Sequence, residues 1–213
     1  MCDLDFAMRQ ASTNPFLEER MRTRRFFNRL SPLYPIVEWH LFPEYRRALG
    51  RMALSPELSV LDLATGTGLL AGAFSERGHA VSGLDFADKL LKRARRRFPQ
   101  VDFRHFDLLH LDQVETHRYD LVCMGYFLHG LSPDFRRYVL RKSARIARDQ
   151  VLIFDYCCDG GWLVRLIEWI EGPNYPLFLT EDRVDEFRKA ALRVDREERV
   201  SEFGGFWLCT PMT

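Results

Sequence analysis

The chain has 213 residues, of which 46% are hydrophobic and 29% charged, and its formal net charge is +1 at pH 7. A chain of this size and composition can bury one sizeable core, and nothing in it requires a second domain. The balanced charge gives no global reason to expect a nucleic-acid partner.

The cysteines and histidines argue against disulfides and metal sites. The five cysteines are odd in number, have no CxxC spacing, and form no metal pattern with the histidines. We therefore expect a reducing compartment and no metal. No apolar run approaches the roughly 20 residues of a membrane-spanning helix, and the N-terminus lacks the apolar core of a signal peptide. The sequence thus predicts a cytoplasmic protein.

The first clear unit of structure lies at residues 60–85. A short apolar run from Val60 ends in a tight turn that contains Gly66 and Gly68, and a helical pattern follows directly. A second apolar run, residues 80–84, then ends in Asp85. This is the layout of a βαβ unit that holds a nucleoside, in which glycines admit the ligand and the acid binds ribose hydroxyls.

The rest of the chain continues the alternation of helix and strand. Further helices are predicted over residues 87–98 and from the caps at Ser132 and Thr180-Glu181-Asp182. Further strands are predicted at residues 101–106, 118–124 and 151–154, and in a hairpin of residues 193–201 and 206–209 around Gly204-Gly205.

This order predicts an α/β fold with a seven-stranded, mostly parallel sheet, helices on both faces and a C-terminal antiparallel hairpin. Residues 1–50, rich in aromatic and arginine side chains, are expected to form an N-terminal helical arm or lid. Residues 51–213 are expected to form the ligand-binding domain, within one structural domain overall. Residues 157–179 are a predicted insertion on the substrate side.

One residue distinguishes between possible nucleosides. Asp62 lies inside the first strand, four residues before Gly66, where a dinucleotide site is usually apolar or glycine. A carboxylate there suits a cationic amine better than a pyrophosphate. S-adenosylmethionine carries such an amine.

The glycine turn and its acids resemble the first motif of the class I S-adenosylmethionine-dependent methyltransferases. That motif is an acid followed by glycines at alternate positions, and this chain has Asp62, Ala64, Gly66 and Gly68, with alanine at the first glycine position. We interpret the alanine as a mild change because its side chain is small. The resemblance covers about residues 15–210 and includes the Rossmann-like fold.

The resemblance implies a set of cofactor contacts. Asp62 and the turn would hold the methionine end, Asp85 the ribose, and Asp107 with Leu108 the adenine, with S-adenosylhomocysteine as the product. The full implied set is Tyr34, Asp62, Ala64, Gly66, Gly68, Asp85, Phe86, Asp107, Leu108 and Met124.

Residues 26–34 resemble the N-terminal signature of the ubiquinone/menaquinone-biosynthesis methyltransferases, which packs over the cofactor. This resemblance implies Tyr34 as a lid contact, with an ordinary packed aromatic as the alternative. Ser31 and Pro35 depart from the signature, and residues 157–179 are unlike that group.

His129 is the leading candidate for a general base. It follows the fourth predicted strand, in a loop that faces the methyl group in the family. A neutral histidine can take a proton from a phenol or an ammonium group. The alternative is that His129 only caps the loop or the next helix. Asp155 and Tyr156, after the fifth strand, are second choices.

The sequence therefore predicts methyl transfer from S-adenosylmethionine to a small, partly apolar molecule, either quinol-like or amine- or lipid-like. A non-catalytic S-adenosylmethionine-binding or regulatory subunit remains an alternative. So does a nicotinamide-dependent oxidoreductase, because residues 66–71 also fit GxGxxA. The basic run at residues 89–97 is expected to be a solvated helix face, and no nucleic-acid partner is expected. The apolar face at residues 162–170 would line the pocket, meet a second subunit or touch a membrane.

Overall fold

The computed structural model describes residues 16, 34–161 and 174–212, and only the backbone of residues 34–39. The strands are β1 (Ser59–Leu63), β2 (Ala80–Asp85), β3 (Asp102–His105), β4 (Tyr119–Gly125), β5 (Ala147–Tyr156), β6 (Leu192–Arg199) and β7 (Gly204–Pro211). The helices are α1 (Tyr34–Gly50), α2 (Leu69–Ser75), α3 (Asp88–Arg97), α4 (Pro133–Ile146), α5 (Asn174–Thr180) and α6 (Arg183–Lys189). Two short 3-10 helices span Leu108–Gln113 and Leu128–Gly130.

The strands form one sheet in the order β3-β2-β1-β4-β5-β7-β6. Strands β1 to β5 pair in parallel with one another, whereas β7 runs antiparallel to both β5 and β6. The predicted seven-stranded sheet with a C-terminal antiparallel hairpin is therefore confirmed.

The central strands are buried on both faces, as a parallel sheet covered by helices requires. In β1, Val60 belongs to the core cluster shared with α1, α2 and α3, while Leu61 and Leu63 belong to the cluster on the opposite face. Asp62 is the polar exception in this strand, and its side chain is buried as well.

The hairpin turn lies earlier than predicted. Gly204 and Gly205 are the first residues of β7 rather than the turn, which is formed by residues 200–203. A Cβ on Gly204 would lie 2.0 Å from the Tyr126 hydroxyl and 2.4 Å from a Glu44 carboxylate oxygen. The glycine is therefore required by the close approach of two side chains, a long-range contact that the sequence pattern does not show.

The predicted cap of α6 agrees with the structure. Asp182 occupies the N-cap position, and its side chain accepts a hydrogen bond from the Asp185 N–H at 3.1 Å. Ser132 occupies the N-cap position of α4, but its side chain makes no capping hydrogen bond. Helix α3 buries its apolar stripe and exposes its basic one, as predicted. The buried residues are Leu90, Leu91 and Ala94.

Helix α1 lies within the predicted N-terminal arm. Its residues Tyr45, Ala48 and Leu49 are buried in the core cluster that also contains α2, so this part of the arm is built into the domain core. The lid role of residues 1–50 stays a prediction, because residues 1–15 and 17–33 lie outside the described residues, as do residues 162–173 of the predicted insertion.

Within the described residues, no helix has the length and apolar character needed to cross a membrane. The same part of the chain contains no group of three or more histidine, cysteine or acidic side chains placed to hold a metal ion. Cys157 and Cys158 both donate hydrogen bonds to backbone carbonyls of the β6–β7 turn, at 3.3 Å each. These two thiols therefore help to hold that turn.

Candidate functional site

The topology gathers the predicted site residues at one edge of the sheet. Strands β3, β2, β1, β4 and β5 are parallel neighbours, so the loops that follow them share the carboxyl edge. Strands β2 and β3 lie on one side of β1, and β4 and β5 lie on the other, so the strand order reverses between β1 and β4. Ligands of open α/β sheets bind at such a switch point. The predicted cofactor acids lie at or beyond β1, β2 and β3, and the predicted base follows β4.

The glycine turn has a left-handed backbone at alternate residues. The φ angles are +53° at Ala64, +56° at Gly66 and +79° at Gly68. A Cβ on Gly66 would have only the Ala64 carbonyl oxygen nearby, at 4.0 Å, so this glycine leaves an open cradle above the turn. A Cβ on Gly68 would lie 2.6 Å from the Phe103 ring, so this glycine serves packing.

Ala64 changes our interpretation of the altered motif. The sequence suggested a mild change because alanine is small, but the structure shows that backbone conformation matters more than size. An L-residue in the left-handed region costs roughly 1–2 kcal/mol, which glycine avoids. The chain therefore carries local strain where the family motif has glycine.

We expect Ala64→Gly to leave stability unchanged or raise the free energy of unfolding by up to about 1 kcal/mol. Relief of the left-handed strain is offset by the greater freedom of glycine in the unfolded chain. Urea unfolding would measure the change. Ala191→Gly is the matched control, because its φ is +61° at a position away from the turn. A clear loss of stability in the Ala64 variant alone would contradict this account.

Asp62 binds the glycine turn and the start of α2 through hydrogen bonds. One carboxylate oxygen accepts hydrogen bonds from the Thr65 hydroxyl at 2.5 Å and the Ala71 N–H at 3.2 Å. The other oxygen faces the Cys123 thiol at 3.7 Å. Burial raises the pKa of Asp62 from 3.8 to about 7 despite these donors. The carboxyl group is thus poised to gain or lose its proton near neutral pH.

Asp85 ties the end of β2 to the same turn. Its carboxylate accepts the Gly66 N–H at 2.8 Å and the Ala87 N–H at 2.7 Å. Burial raises the pKa of Asp85, and its negative charge in turn raises the pKa of Asp62. The two acids therefore act on one turn, and together they make it favourable for a cation.

The other implied cofactor residues divide into two groups. Asp107 accepts the Leu109 N–H at 3.1 Å and so begins the first 3-10 helix, and the Phe106 N–H bonds to the Asp85 carbonyl at 2.8 Å. This contact keeps the ends of β2 and β3 together. The side chains of Leu108 and Met124 are buried in the core, and their contacts with the cofactor stay predictions. Phe86 is half-buried beside Asp85, and the side chain of Tyr34 lies outside the described residues.

An open cavity of about 240 Å³ lies beside the turn and is lined by Thr67, Arg93, Arg96 and Arg97. Three guanidinium groups repel a ligand that carries an ammonium and a sulfonium. The electrostatics therefore favour the side of the turn that faces Asp62 and Asp85 as the place for such a ligand.

His129 and Asp155 meet on the other side of the switch point. The His129 Nδ1 atom lies 2.6 Å from an Asp155 carboxylate oxygen, and both side chains are at most 5% exposed. Asp155 also accepts the backbone N–H groups of Leu128 at 2.9 Å, His129 at 3.2 Å and Tyr156 at 2.8 Å. The two residues named separately from the sequence as base candidates thus form one hydrogen-bonded pair.

Aromatic rings surround this pair, mostly edge to face. The His129 ring centroid lies 4.8 Å from that of Tyr156 and 6.2 Å from that of Tyr175. The Tyr126 hydroxyl donates a hydrogen bond to Glu44 of α1 at 2.6 Å. Sequence reasoning missed Tyr126 and Glu44, which lie 82 positions apart and carry no motif. A left-handed backbone at Tyr126, with φ at +49°, aims that ring.

The sequence relatives agree with this geometry. Residues 60–150 match the family model described as a methyltransferase domain. This match supports the predicted resemblance to the class I S-adenosylmethionine-dependent methyltransferases. A demethylmenaquinone methyltransferase of Listeria welshimeri is 26% identical over 140 residues, which cover 60% of this chain and 58% of that protein. A ubiquinone biosynthesis O-methyltransferase of Nitrosomonas europaea is 30% identical over 112 residues, covering 50% and 42%.

These matches confirm the predicted resemblance to the quinone-biosynthesis group. The alignments nevertheless span about half the length of those relatives, up to 58%. The match to a methyltransferase domain also favours S-adenosylmethionine over a nicotinamide as the cofactor.

Solved structures share the fold at low sequence identity. A chain of the complex between the Haloferax volcanii Trm112 methyltransferase activator and a putative methyltransferase matches with a TM-score of 0.71 and 17% identity, covering 90% of this chain and 98% of that one. A Burkholderia thailandensis 1,6-didemethyltoxoflavin-N1-methyltransferase, solved with S-adenosylhomocysteine, matches with a TM-score of 0.67 and 17% identity, covering 92% and 90%.

The chain's own residues fit S-adenosylmethionine as the cofactor. The open cradle at Gly66 leaves room for a ligand above the turn. The Gly66, Phe86 and Ala87 N–H groups use three of the roughly four lone-pair sites on the Asp85 carboxylate, which leaves acceptor capacity for a ribose hydroxyl.

Proposed function

We propose that this chain transfers a methyl group from S-adenosylmethionine to a small, partly apolar acceptor molecule. The observation that carries the proposal is the glycine turn fixed between two buried acids, Asp62 and Asp85, at the switch point of the sheet. When bound, the cofactor supplies a methyl group on a positively charged sulfur. The acids provide the negative potential that such a cation requires.

The chain's residues would act mainly by alignment and by exclusion of water. In-line displacement needs the nucleophile, the methyl carbon and the leaving sulfur on one axis, and orientation of this kind can supply about 7–11 kcal/mol. Asp85 and the Gly66 cradle would fix the nucleoside end, while the loop after β4 would present the acceptor. The acceptor's proposed quinol-like or amine- or lipid-like character follows from the aromatic side chains around this loop.

The test of the proposal is calorimetry with S-adenosylhomocysteine and S-adenosylmethionine. Asp85→Ala should weaken binding of both by more than tenfold, because it removes a charged acceptor and releases the Gly66 N–H. Asp120→Ala is the matched control. Asp120 also accepts a backbone N–H, from Ser59 at 2.8 Å, but it lies at the opposite end of the sheet.

Wild-type affinity in the Asp85 variant would show that the ribose is held elsewhere. Binding of S-adenosylmethionine without turnover on any acceptor would favour the alternative of a non-catalytic, regulatory subunit. No binding of either molecule by the wild-type chain would overturn the proposal itself.

A further inference from the structure

The loop between β2 and α3 contains one peptide group that is held at both ends. This group joins Phe86 to Ala87. Its N–H donates to the Asp85 carboxylate at 2.7 Å, and its carbonyl oxygen lies 3.1 Å from the Nε2 atom of His105. The N–H and C=O of a planar trans peptide point in opposite directions, so a rotation of this group would break both contacts.

His105 is the donor in its contact with Phe86. A carbonyl oxygen only accepts hydrogen bonds, so the hydrogen between the two groups belongs to Nε2. Both the Nε2–H form of the neutral imidazole and the imidazolium ion carry that hydrogen. The contact therefore does not require a charge on His105.

The place of His105 in the sheet directs it at this loop. It is the last residue of β3, an edge strand, and it lies opposite Asp85 in the pairing of β2 with β3. The next residue, Phe106, donates its N–H to the Asp85 carbonyl at 2.8 Å. The end of β3 thus holds two successive carbonyl groups, those of Asp85 and Phe86.

Other interactions of His105 are weaker or indirect. Its Nε2 atom lies 3.8 Å from an Asp88 carboxylate oxygen, but the two side chains are 52% and 70% exposed, so this ion pair contributes little. Burial raises the pKa of Asp85, and the charge of His105 opposes this by lowering it. The Phe86 carbonyl is therefore the directed contact of a side chain that lies largely outside the core.

We propose that His105 is a positioning residue for the cofactor. Its Nε2–H holds the peptide between Phe86 and Ala87 in the orientation that keeps the Ala87 N–H on the Asp85 carboxylate. This inference rests on the proposed function, in which Asp85 holds the ribose. Because His105 acts through the loop, it sets the affinity for the nucleoside end of the cofactor.

Calorimetry with S-adenosylhomocysteine tests the role of the donor. His105→Ala should weaken binding roughly 3- to 10-fold, as expected for the loss of one hydrogen bond that orders the site. His105→Gln should restore most of the affinity, because the glutamine amide nitrogen can take the place of Nε2 and donate to the same carbonyl. His110→Ala, at an exposed histidine five residues further along, is the control and should bind as the wild-type chain does.

A fragment of the cofactor tests which end is affected. 5′-Methylthioadenosine has the nucleoside and the sulfur but lacks the amino acid. His105→Ala should weaken its binding by the same factor as for S-adenosylhomocysteine, whereas Asp62→Asn should weaken only S-adenosylhomocysteine. Unchanged affinity of His105→Ala for the fragment would overturn the proposal.

Amide hydrogen exchange of Ala87, followed by NMR without any ligand, examines the peptide itself. Exchange should be faster in His105→Ala than in the wild-type chain and should return toward the wild-type rate in His105→Gln. Wild-type exchange and wild-type affinity in His105→Ala, or a glutamine variant that behaves as the alanine variant does, would overturn the positioning role. Absence of S-adenosylhomocysteine binding by the wild-type chain would instead overturn the proposed function.

Discussion

Replacing Gly68 with alanine is expected to lower the free energy of unfolding by about 2–4 kcal/mol and to weaken S-adenosylhomocysteine binding at least tenfold. The left-handed backbone at φ +79° accounts for roughly 1–2 kcal/mol of this loss. The new Cβ would also lie 2.6 Å from the Phe103 ring and 3.1 Å from the Ala94 Cβ. The Phe103 ring cannot move away easily, because it lies equally close to Gly83.

Gly78→Ala is the matched control for this variant. Gly78 has φ at +86°, but no atom lies within 4 Å of the position where its Cβ would be. It should therefore lose only the roughly 1–2 kcal/mol of conformational strain and keep its cofactor affinity. Urea unfolding and calorimetry measure both quantities. Equal losses in the two variants would show that the contact between the turn and Phe103 has no role in the site.

Asp62→Asn is expected to stabilise the fold at alkaline pH and to weaken cofactor binding. A pKa raised from 3.8 to about 7 corresponds to about 4 kcal/mol. The pKa of Asp62 is higher in the folded chain than in the unfolded chain. The stability contributed by protonated Asp62 is therefore fully present below the unfolded pKa and is lost as pH rises through about 7. Asparagine fits the same bonds, with its carbonyl toward Thr65 and Ala71 and its amide toward Cys123.

The variant should thus exceed the wild-type chain in free energy of unfolding at about pH 8, by a few kcal/mol. It should also lack the decrease in stability that Asp62 causes in the wild-type chain between about pH 4 and pH 7. Asp120→Asn is the control, and it should change the free energy of unfolding at alkaline pH in the opposite direction. Hydrogen bonds from Ser59 lower the pKa of Asp120, so its stabilising effect is lost as pH falls, and its variant should be less stable at alkaline pH.

Cofactor binding should follow the ionised form of Asp62. In the wild-type chain the affinity for S-adenosylhomocysteine should rise with pH through about 7, because an ammonium group stabilises the carboxylate. Calorimetry in buffers of different ionisation enthalpy should also detect a released proton near neutral pH. A pH-independent affinity with no proton release would show that the ligand's amine is held away from Asp62.

Local patterns were sufficient to predict the order of elements and the kind of site. The glycine turn, the acid in β1 and the acid at the end of β2 lie within 24 residues of chain, and their spacing follows from the βαβ unit itself. The apolar stripe of α3 and the cap at Asp182 are local as well. The predicted sheet and the methyltransferase family were therefore accessible from the sequence.

Contacts between distant residues decided the details that chemistry depends on. The sequence named His129 and Asp155 separately, but only the pairing of β4 with β5 brings them to 2.6 Å across 26 positions. The strain at Ala64 and the place of Gly204 in a strand also follow from tertiary packing.

The amino-acid sequence by itself determined which side chains lie at the carboxyl edge of the sheet, because strand order and alternation follow from local spacing. Only the tertiary structure decided where each carboxylate points and which partner it meets. Asp62 faces inward toward the start of α2. Asp155 bonds to His129, which the sequence analysis named as a separate candidate. Those directions depend on burial and on hydrogen bonds between separate strands, which no local pattern contains.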